Sequence, residues 1–375
     1  MSAASHIWRV YILPTAVFQS VMIGGGYGTG REIVEYFTRY GVFGGLWGLV
    51  FVAACFAVLL AVSFEFARLY RAYDYRKFFL ALLGRGWIAF ELLYLAMFAI
   101  VLAVIAAASG KLFEEQLHVP KLVGLASLLA VATILAFYGR KWVTRILALK
   151  AAFLSAVFLT YFILTVRTTG NEILAQVTRA EVLSGWIAGA LHYVLYSSVV
   201  IPAMLFAIRD LETRREALLS GLVAAIGGLL PGVLLHLSFA TGYPSVLEQP
   251  IPAHFMIVRL GVPALTAAYL VVLFGCLLDT GLCFIQSVNE RLDGWLHDGH
   301  QAPISRPQRA GVAILAVVIS GALSLFGVVP LIAKGYSTMA WGFLALYVGP
   351  LLTVGVYRIR QLSLFAAPVG SEEES

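Results

Sequence analysis

The chain has 375 residues, of which 61% are hydrophobic and only 12% charged, and its mean hydropathy is +0.89. Soluble domains carry about 25% charged residues, so this composition excludes a soluble globular protein and requires a bilayer around most of the chain. The net charge of +6 follows the membrane topology described below and does not indicate nucleic-acid binding. In lipid only helices or closed barrels satisfy the backbone. The apolar runs span about 18–28 residues, roughly twice the length of a barrel strand, and predict an all-α polytopic membrane protein.

Apolar runs separated by polar breaks predict ten membrane spans. Their approximate bounds are 8–38, 43–70, 86–109, 121–138, 143–166, 183–208, 215–240, 261–289, 310–328 and 337–358. We divide the chain into a first five-helix repeat (1–170), a second five-helix repeat (171–360) and a disordered cytoplasmic tail (361–375).

The basic residues predict the orientation of these spans. Eighteen of the 26 Lys and Arg lie at the ends and loops on the side of the N-terminus, and seven lie on the other side. Cytoplasmic segments carry the excess of Lys and Arg. We therefore expect both termini to be cytoplasmic in a bacterial-type inner (plasma) membrane, which requires an even number of spans.

The first span is interrupted by glycine. Residues 21–35 read VMIGGGYGTGREIVE, with five glycines between Gly24 and Gly30. Each glycine costs a helix about 1 kcal/mol relative to alanine, and unwound backbone is tolerated in a membrane only where it is buried in protein or lines a cavity. Two interpretations are open: an unwound substrate site of the kind found in secondary transporters, or a glycine face for close helix packing.

An unwound segment would offer free amides and a new helix start near Arg31 to an anionic group such as a carboxylate. Arg31 either clamps that carboxylate or forms an i, i+4 ion pair with Glu35. The predicted substrate contacts in this segment are Gly24, Gly25, Gly26, Tyr27, Gly28, Thr29, Gly30 and Arg31.

The sixth span carries a second irregularity. Pro202 removes an amide and is expected to open the helix near residue 198. The predicted substrate contacts here are His192, Tyr193, Tyr196, Ser197 and Ser198. Two sets of five spans, each beginning with a discontinuous helix, predict a 5+5 inverted repeat.

Three motifs carry a resemblance to a known group. The segments GGGYGTGREIVEYF (24–37), LDTGLCFIQSVNERLD (278–293) and LIAKGYSTMAWGF (331–343) resemble the YkvI-like membrane proteins, permeases of the amino acid–polyamine–organocation superfamily. The resemblance implies a LeuT-like fold, with a substrate held by spans 1 and 6 and a coupling ion between spans 1, 5 and 8. Ser197 stands where the family has an asparagine after the tyrosine of span 6.

Ionisable residues inside spans are candidates for ion coupling, because a charge in the bilayer centre costs at least about 2.5–3.5 kcal/mol. Lys150 in span 5 resembles the lysine that replaces sodium in proton-coupled relatives. Asp279 and Thr280 in span 8 are candidate partners, or ligands of a Na⁺ ion near Gly24, Asp279 and Thr280. The alternative is that Lys150 extends its amine to the membrane surface while Asp279 pairs or caps. No cofactor is expected beyond a coupling Na⁺ or H⁺.

Functional motifs of enzymes are absent from the sequence: it has no H-E-x-x-H, G-x-S-x-G or Walker-type motif. We predict a symporter-type permease for amino acid transport, working by alternating access. Its expected partners are the small-molecule substrate (an amino acid or a related amine or carboxylate) and the lipid bilayer, without nucleic acid. The alternative is a nutrient-sensing receptor of the same fold that binds its ligand without net transport.

Overall fold

The computed structural model of the chain describes residues 3–121, 123–124, 126–127, 130, 140–298 and 306–365. These residues form helices and their connections, with no β-strand among them, as predicted. The principal helices in chain order are α1 (residues 3–22), α2 (Arg31–Tyr36), α3 (Val42–Tyr70), α4 (Tyr75–Leu83), α5 (Trp87–Leu117), α6 (Arg140–Thr178), α7 (Trp186–Ser197), α8 (residues 200–208), α9 (Arg214–Phe239), α10 (Pro252–Arg259), α11 (Pro263–Asp298), α12 (Arg306–Ser324) and α13 (residues 328–365).

The chain is a membrane protein. Within the described ranges, five helical stretches are long and apolar enough to cross a bilayer: Val42–Tyr70, Tyr75–Glu115, Trp186–Ala203, Arg214–Gly242 and Val328–Leu362. The apolar helix Pro263–Leu278 is shorter. The predicted span at 121–138 falls largely outside the described residues.

Polar contacts define two faces of the helical assembly. On the N-terminal face, Arg9 near the start of α1 lies 3.8 Å from Asp210, which precedes α9. Arg68 at the end of α3 donates to the carbonyl oxygen of Glu212 at 2.9 Å. Since α3 and α9 both cross from this face, their other ends, near Val42 and Phe239, lie on the opposite face.

Small residues bring α3 and α9 together. A Cβ atom at Gly221 of α9 would lie 2.8 Å from the Cα atom of Ala61 in α3, so only glycine allows the two backbones to approach this closely. Membrane helices use such small residues because lipid supplies no hydrophobic force between them. This packing places the connection between α2 and α3 beside the end of α9.

Several helix bounds differ from the prediction; α5 and α11, for example, run to Leu117 and Asp298, beyond the predicted ends at 109 and 289. The backbone of α6 leaves helical geometry at Thr169 (φ −131°, ψ 20°), next to the predicted boundary between the repeats. The last helix begins at residue 328, earlier than the predicted 337, because Pro330 stands in its first turn, where a missing amide is tolerated. It continues to Phe365, so the first residues of the predicted tail are helical.

The start of α9 is stabilised by a capping box. Thr213 Oγ1 accepts from the amide of Glu216 at 3.2 Å, and Glu216 Oε2 accepts from the amide of Thr213 at 3.0 Å. We expect Thr213→Ala to lower the free energy of unfolding by about 1 kcal/mol. Thermal unfolding of the purified protein in detergent measures this. Thr353→Ala removes an exposed hydroxyl within α13 that bonds only to a carbonyl of its own helix, and an equal loss in that control would contradict the role of the cap.

Candidate functional site

The first helix breaks where the glycines predict. The structure ends α1 at Met22, and Ile23 leaves helical geometry with φ −81° and ψ 65°. A single helical turn, Gly25–Gly28, follows. The chain then turns at Gly30, whose left-handed φ of 78° precedes Arg31, the first residue of α2. The discontinuity is therefore confirmed, although it is less unwound than a bare segment because of the intervening turn.

Backbone carbonyl oxygens of this break accept hydrogen bonds from neighbouring groups. Thr29 Oγ1 donates to the carbonyl of Gly26 at 2.7 Å, and Tyr269 Oη of α11 donates to the carbonyl of Gly28 at 2.9 Å. The amide of Ala253 at the start of α10 donates to the carbonyl of Thr29 at 3.0 Å. The break is thus hydrogen-bonded to α11. It is also hydrogen-bonded to α10, on the face opposite the N-terminal face.

The second discontinuity separates α7 from α8. Ser198 Oγ donates to the carbonyl of Leu195 at 2.7 Å, and the amide of Ile201 donates to the carbonyl of Ser198 at 3.0 Å in a tight i, i+3 bond. This change ahead of Pro202 confirms the predicted opening near residue 198. It is milder than the break after α1, since Ser198 keeps a helical φ of −57°.

The two discontinuities meet at a buried carboxylate. Tyr196 Oη of α7 donates to Glu32 Oε2 of α2 at 2.9 Å. Gly26 makes room for this carboxylate, because a Cβ atom at position 26 would lie 2.9 Å from Glu32 Cδ and closer still to Oε1. The hydrogen bond from Tyr196 therefore links the first broken helix directly to the second.

Four buried tyrosines, which we call the tyrosine cluster, surround this link: Tyr36, Tyr193, Tyr196 and Tyr336. The ring of Tyr196 lies 5.2 Å from Tyr36, 5.4 Å from Tyr193 and 4.8 Å from Tyr336, between ring centroids. Tyr36 Oη also donates to the carbonyl of Ile332 at 3.0 Å. The cluster joins α2, α7 and α13.

The side chain of Arg31 points away from the tyrosine cluster, although Arg31 directly precedes Glu32 in the chain. Its guanidinium pairs with Glu35 Oε2 at 2.6 Å and donates to the carbonyls of Leu247 and Gln249 at 2.6 and 3.3 Å. Glu35 also pairs with Arg39. The i, i+4 ion pair is confirmed, and it leaves Arg31 bonded to the loop before α10 rather than turned toward the tyrosine cluster.

The structure separates His192 from the other predicted contacts of span 6. Its Nδ1 bonds to the carbonyl of Ala188 at 2.8 Å, and its ring lies 5.6 Å from the exposed Trp341. Tyr193, by contrast, is fully buried. His192 therefore lies on the side of α7 that faces away from the protein interior, because residues one position apart on a helix point in different directions.

Among the predicted ion-coupling residues, the structure describes Thr280. Its hydroxyl donates to the carbonyl of Cys276 at 2.8 Å and lies 3.8 Å from where a Cβ atom of Gly24 would stand. The side chains of Lys150 in α6 and Asp279 in α11 are outside the part that the structure describes. The described residues contain no group of three His, Cys, Asp or Glu that could hold a metal ion.

Glu32, Tyr36 and Tyr336 are not among the site residues predicted from the sequence. A signal was nevertheless present. Glu35 has Arg31 and Arg39 four residues away on either side, whereas Glu32 has Gly28 and Tyr36 at those positions. A helical carboxylate without a basic neighbour on its own helix must find its partner in tertiary structure.

Comparison with solved structures identifies the fold. The chain matches a structure of MhsT in complex with L-phenylalanine with a TM-score of 0.59 at 14% identity, covering 95% of this chain and 98% of that one. The fold is LeuT-like. It also matches an Eremococcus coleocola manganese transporter (TM-score 0.58, 12% identity, covering 99% and 90%). A Na⁺-coupled sialic acid symporter matches with a TM-score of 0.52 at 14% identity, covering 96% and 84%.

The expected sequence resemblance is also confirmed. The chain is 24% identical over 356 residues to the uncharacterized membrane protein YkvI of Bacillus subtilis (strain 168), covering 92% of this chain and 96% of that protein. No family model matches the chain. With the LeuT-like fold, the ten-span, 5+5 arrangement with discontinuous first and sixth spans follows.

Proposed function

We propose that this protein is a secondary active transporter of a small organic solute, an amino acid or a close relative, that works by alternating access. The observation that carries this proposal is the meeting of two broken helices at one buried polar centre, the bond between Glu32 and Tyr196. Broken helices near the middle of a bilayer place substrate and ion sites in secondary transporters. The neighbouring structures of the same fold include a manganese transporter, a Na⁺-coupled sialic acid symporter and MhsT in complex with L-phenylalanine.

The solute position that fits this centre lies between the glycine segment and α7. Tyr27, Tyr193, Tyr196 and Ser197 are buried there. Aromatic walls with a few fixed polar groups suit a small organic solute. Because Arg31 is engaged by Glu35 and by two carbonyls, the amides of residues 25–30 are better candidates than its guanidinium for a solute carboxylate.

We place the coupling ion, H⁺ or Na⁺, near Lys150, Asp279 and Thr280. The proximity of Thr280 to Gly24 supports a Na⁺ position between α1 and α11, since oxygen atoms are the ligands that hard cations prefer. We further place the protein in the inner membrane with its N-terminal face in the cytoplasm, and in the amino acid–polyamine–organocation superfamily. Arg9, Arg68 and Arg358, which all lie on that face or contact its connections, support this orientation.

Solute counterflow in proteoliposomes tests the transport proposal. Vesicles loaded with an unlabelled amino acid mixture should accumulate a labelled amino acid when they contain the protein, and should not when they lack it. Imposing a Na⁺ gradient and then a pH gradient of matched size identifies the driving ion, and Lys150→Ala should abolish only a proton-driven component.

The alternative, a nutrient-sensing receptor of the same fold, predicts a different result in the same vesicles. Such a receptor would bind labelled solute with a stoichiometric limit and would show no counterflow above that limit. Accumulation beyond one solute per protein molecule supports transport, and saturation at that level would overturn it.

A further inference from the structure

Helix α4 connects the end of α3 to the start of α5 on the N-terminal face and has two different sides. Asp74 caps it by accepting from the amide of Lys77 at 2.9 Å. On one side Phe79 is fully buried, and its ring stacks on that of Phe90 in α5. On the other side Lys77 and Leu80 are exposed, and residues three apart share one side of a helix. The buried side anchors α4, and the exposed side presents one cation and one apolar side chain.

Basic residues gather around this exposed side. Five of them lie on α4, on the connections at its two ends or in contact with it, and we call them the α4 basic surface: Arg71, Arg76, Lys77, Arg85 and Arg358. Arg358 belongs to α13 and donates to the carbonyl of Ala81 in α4. The side chain of Lys77 is 72% exposed. Between residues 71 and 91 the sequence has two acidic residues, and one of them, Glu91, is buried, so positive charge predominates here.

Exposed apolar residues adjoin the α4 basic surface. Ile88 and Leu92 lie four residues apart on α5, in one of the helical stretches that cross the bilayer, and are 49% and 63% exposed. Their shared side of α5 therefore faces lipid. Trp87 lies beside them, with its ring centroid 5.1 Å from the guanidinium carbon of Arg76, and tryptophan is enriched at the boundary between lipid and water. The α4 basic surface is thus at the level of the lipid headgroups.

The basic residues near the start of α9, on the same face, are balanced by acidic ones. Arg9 lies 3.8 Å from Asp210, and His6 Nε2 lies 3.2 Å from Glu216 Oε1. Residues 209–216 comprise the connection before α9 and its first turn, and they include three arginines and three acidic residues: Arg209, Arg214, Arg215, Asp210, Glu212 and Glu216. The α4 basic surface therefore carries an excess of positive charge that the start of α9 lacks.

We propose that the α4 basic surface binds the headgroup phosphate of an anionic phospholipid in the leaflet on the N-terminal face. Arginine and lysine both donate to phosphate oxygens, and anionic lipids attract such residues near the membrane surface. The exposed Leu80, Ile88 and Leu92 favour a lipid over a soluble phosphate, because a soluble phosphate has no acyl chains to cover them. The inference does not depend on the transported solute and holds for a transporter or a receptor.

Photo-cross-linking in vesicles locates the bound lipid on the full-length protein. The photoreactive residue p-benzoylphenylalanine replaces Leu80 in protein reconstituted into equimolar dioleoylphosphatidylglycerol and dioleoylphosphatidylcholine, and mass spectrometry counts the two cross-linked lipids. The same replacement at Leu218, which is also 42% exposed and lies one turn into α9, is the control position. At Leu80 phosphatidylglycerol should exceed phosphatidylcholine about fivefold or more, which is the effect of one basic residue near anionic lipid. At Leu218 the two lipids should be cross-linked in equal amounts.

Charge-removing variants test which residues bind the headgroup. Lys77→Gln combined with Arg85→Gln should lower the ratio of phosphatidylglycerol to phosphatidylcholine at Leu80 by up to about fivefold for each charge removed. Arg214→Gln combined with Arg215→Gln is the matched control, because it removes two exposed arginines of the same face, and it should leave the ratio unchanged. Raising the salt concentration to about 1 M should lower the wild-type ratio, since the Debye length falls to about 3 Å. The Tm of each variant in pure phosphatidylcholine reports that the protein is folded.

A Tm measurement in detergent separates the lipid from a free phosphate. Phosphatidylglycerol should raise the Tm of the wild type more than that of the variant with Lys77→Gln and Arg85→Gln, whereas inorganic phosphate and phosphatidylcholine should raise neither. Equal cross-linking of the two lipids at Leu80, an equal loss in both charge-removing variants, or an equal Tm shift with inorganic phosphate would each overturn the proposal. None of these results depends on counterflow, so failure of the lipid proposal leaves the proposed transport function standing.

Discussion

Gly26→Ala is expected to abolish solute binding while the protein still inserts and folds. The added Cβ atom would lie 2.9 Å from Glu32 Cδ and closer to Oε1, so the carboxylate must move away from Tyr196. Such overpacking costs about 1–3 kcal/mol. Displacing Glu32 also breaks the bond from Tyr196, the one hydrogen bond between side chains of α2 and α7 in the described residues. Equilibrium binding of a labelled solute and the Tm of the same preparation measure the two effects.

Two further variants isolate the contact. Gly311→Ala lies on α12 at an exposed position with no atom within 4 Å of the new Cβ, so it should not lower stability. Combining Gly26→Ala with Glu32→Ala removes the overlap and should recover most of the lost stability without restoring binding, which is the non-additivity expected of touching residues. Wild-type affinity in Gly26→Ala would show that the carboxylate is not needed where the structure places it.

The discontinuity in the first helix could be predicted from sequence because it is a local property. Three contiguous glycines disfavour a helix wherever they occur, and the restart at Arg31 follows from the polar residues after Gly30. The second discontinuity was predictable for the same reason, since Pro202 removes an amide whatever surrounds it. Both breaks needed only the residues within a few positions.

The directions in which the side chains of Arg31 and Glu32 point could not be predicted in this way, because they depend on distant segments of the chain. The carbonyls that bind Arg31 belong to Leu247 and Gln249, more than two hundred positions along the chain. The hydroxyl that binds Glu32 belongs to Tyr196. Helical periodicity shows that the two charges diverge, but only the tertiary arrangement determines which of them enters the site.

His192 shows the same limit at a finer scale. It is adjacent to Tyr193 in sequence and one turn before Tyr196, which made it a reasonable candidate for the site. The structure buries Tyr193 and leaves His192 beside the exposed Trp341. Apolar residues occupy both sides of α7, so composition does not show which side faces lipid.

Arg31→Met is expected to release the loop before α10 from α2. This should expose the residues beneath the loop, on the face opposite the N-terminal face. Arg31 is 4% exposed, and its guanidinium holds Glu35, Leu247 and Gln249 together. Removing one partner of a buried ion pair costs about 3–5 kcal/mol, and the lower end applies here because Arg39 still pairs with Glu35. Arg31→Lys keeps the charge but not the planar fork, so it should fall between Met and the wild type.

Cysteine accessibility measures this opening. Ala253 is fully buried and its amide bonds to the carbonyl of Thr29 beneath the loop, so Ala253→Cys, in a background with the three native cysteines replaced, reports exposure there. Its labelling by a membrane-impermeant maleimide should rise in Arg31→Met. Arg39→Met is the matched control: Arg39 shares Glu35 but is half exposed, and exposed pairs contribute about 0–1 kcal/mol, so labelling should stay at the wild-type level.

The same pair of variants decides between the two roles open to Arg31. If Arg31 holds the loop before α10 to α2, Arg31→Met should increase the labelling of Ala253→Cys. The affinities for amines and for amino acids should then change to the same extent. A clamp on the solute carboxylate predicts unchanged labelling and a selective loss of affinity for solutes that carry a carboxylate. The structure favours the role of holding the loop to α2, because the polar contacts described for the guanidinium are all to the protein itself. They are one carboxylate on its own helix and two carbonyls of the loop.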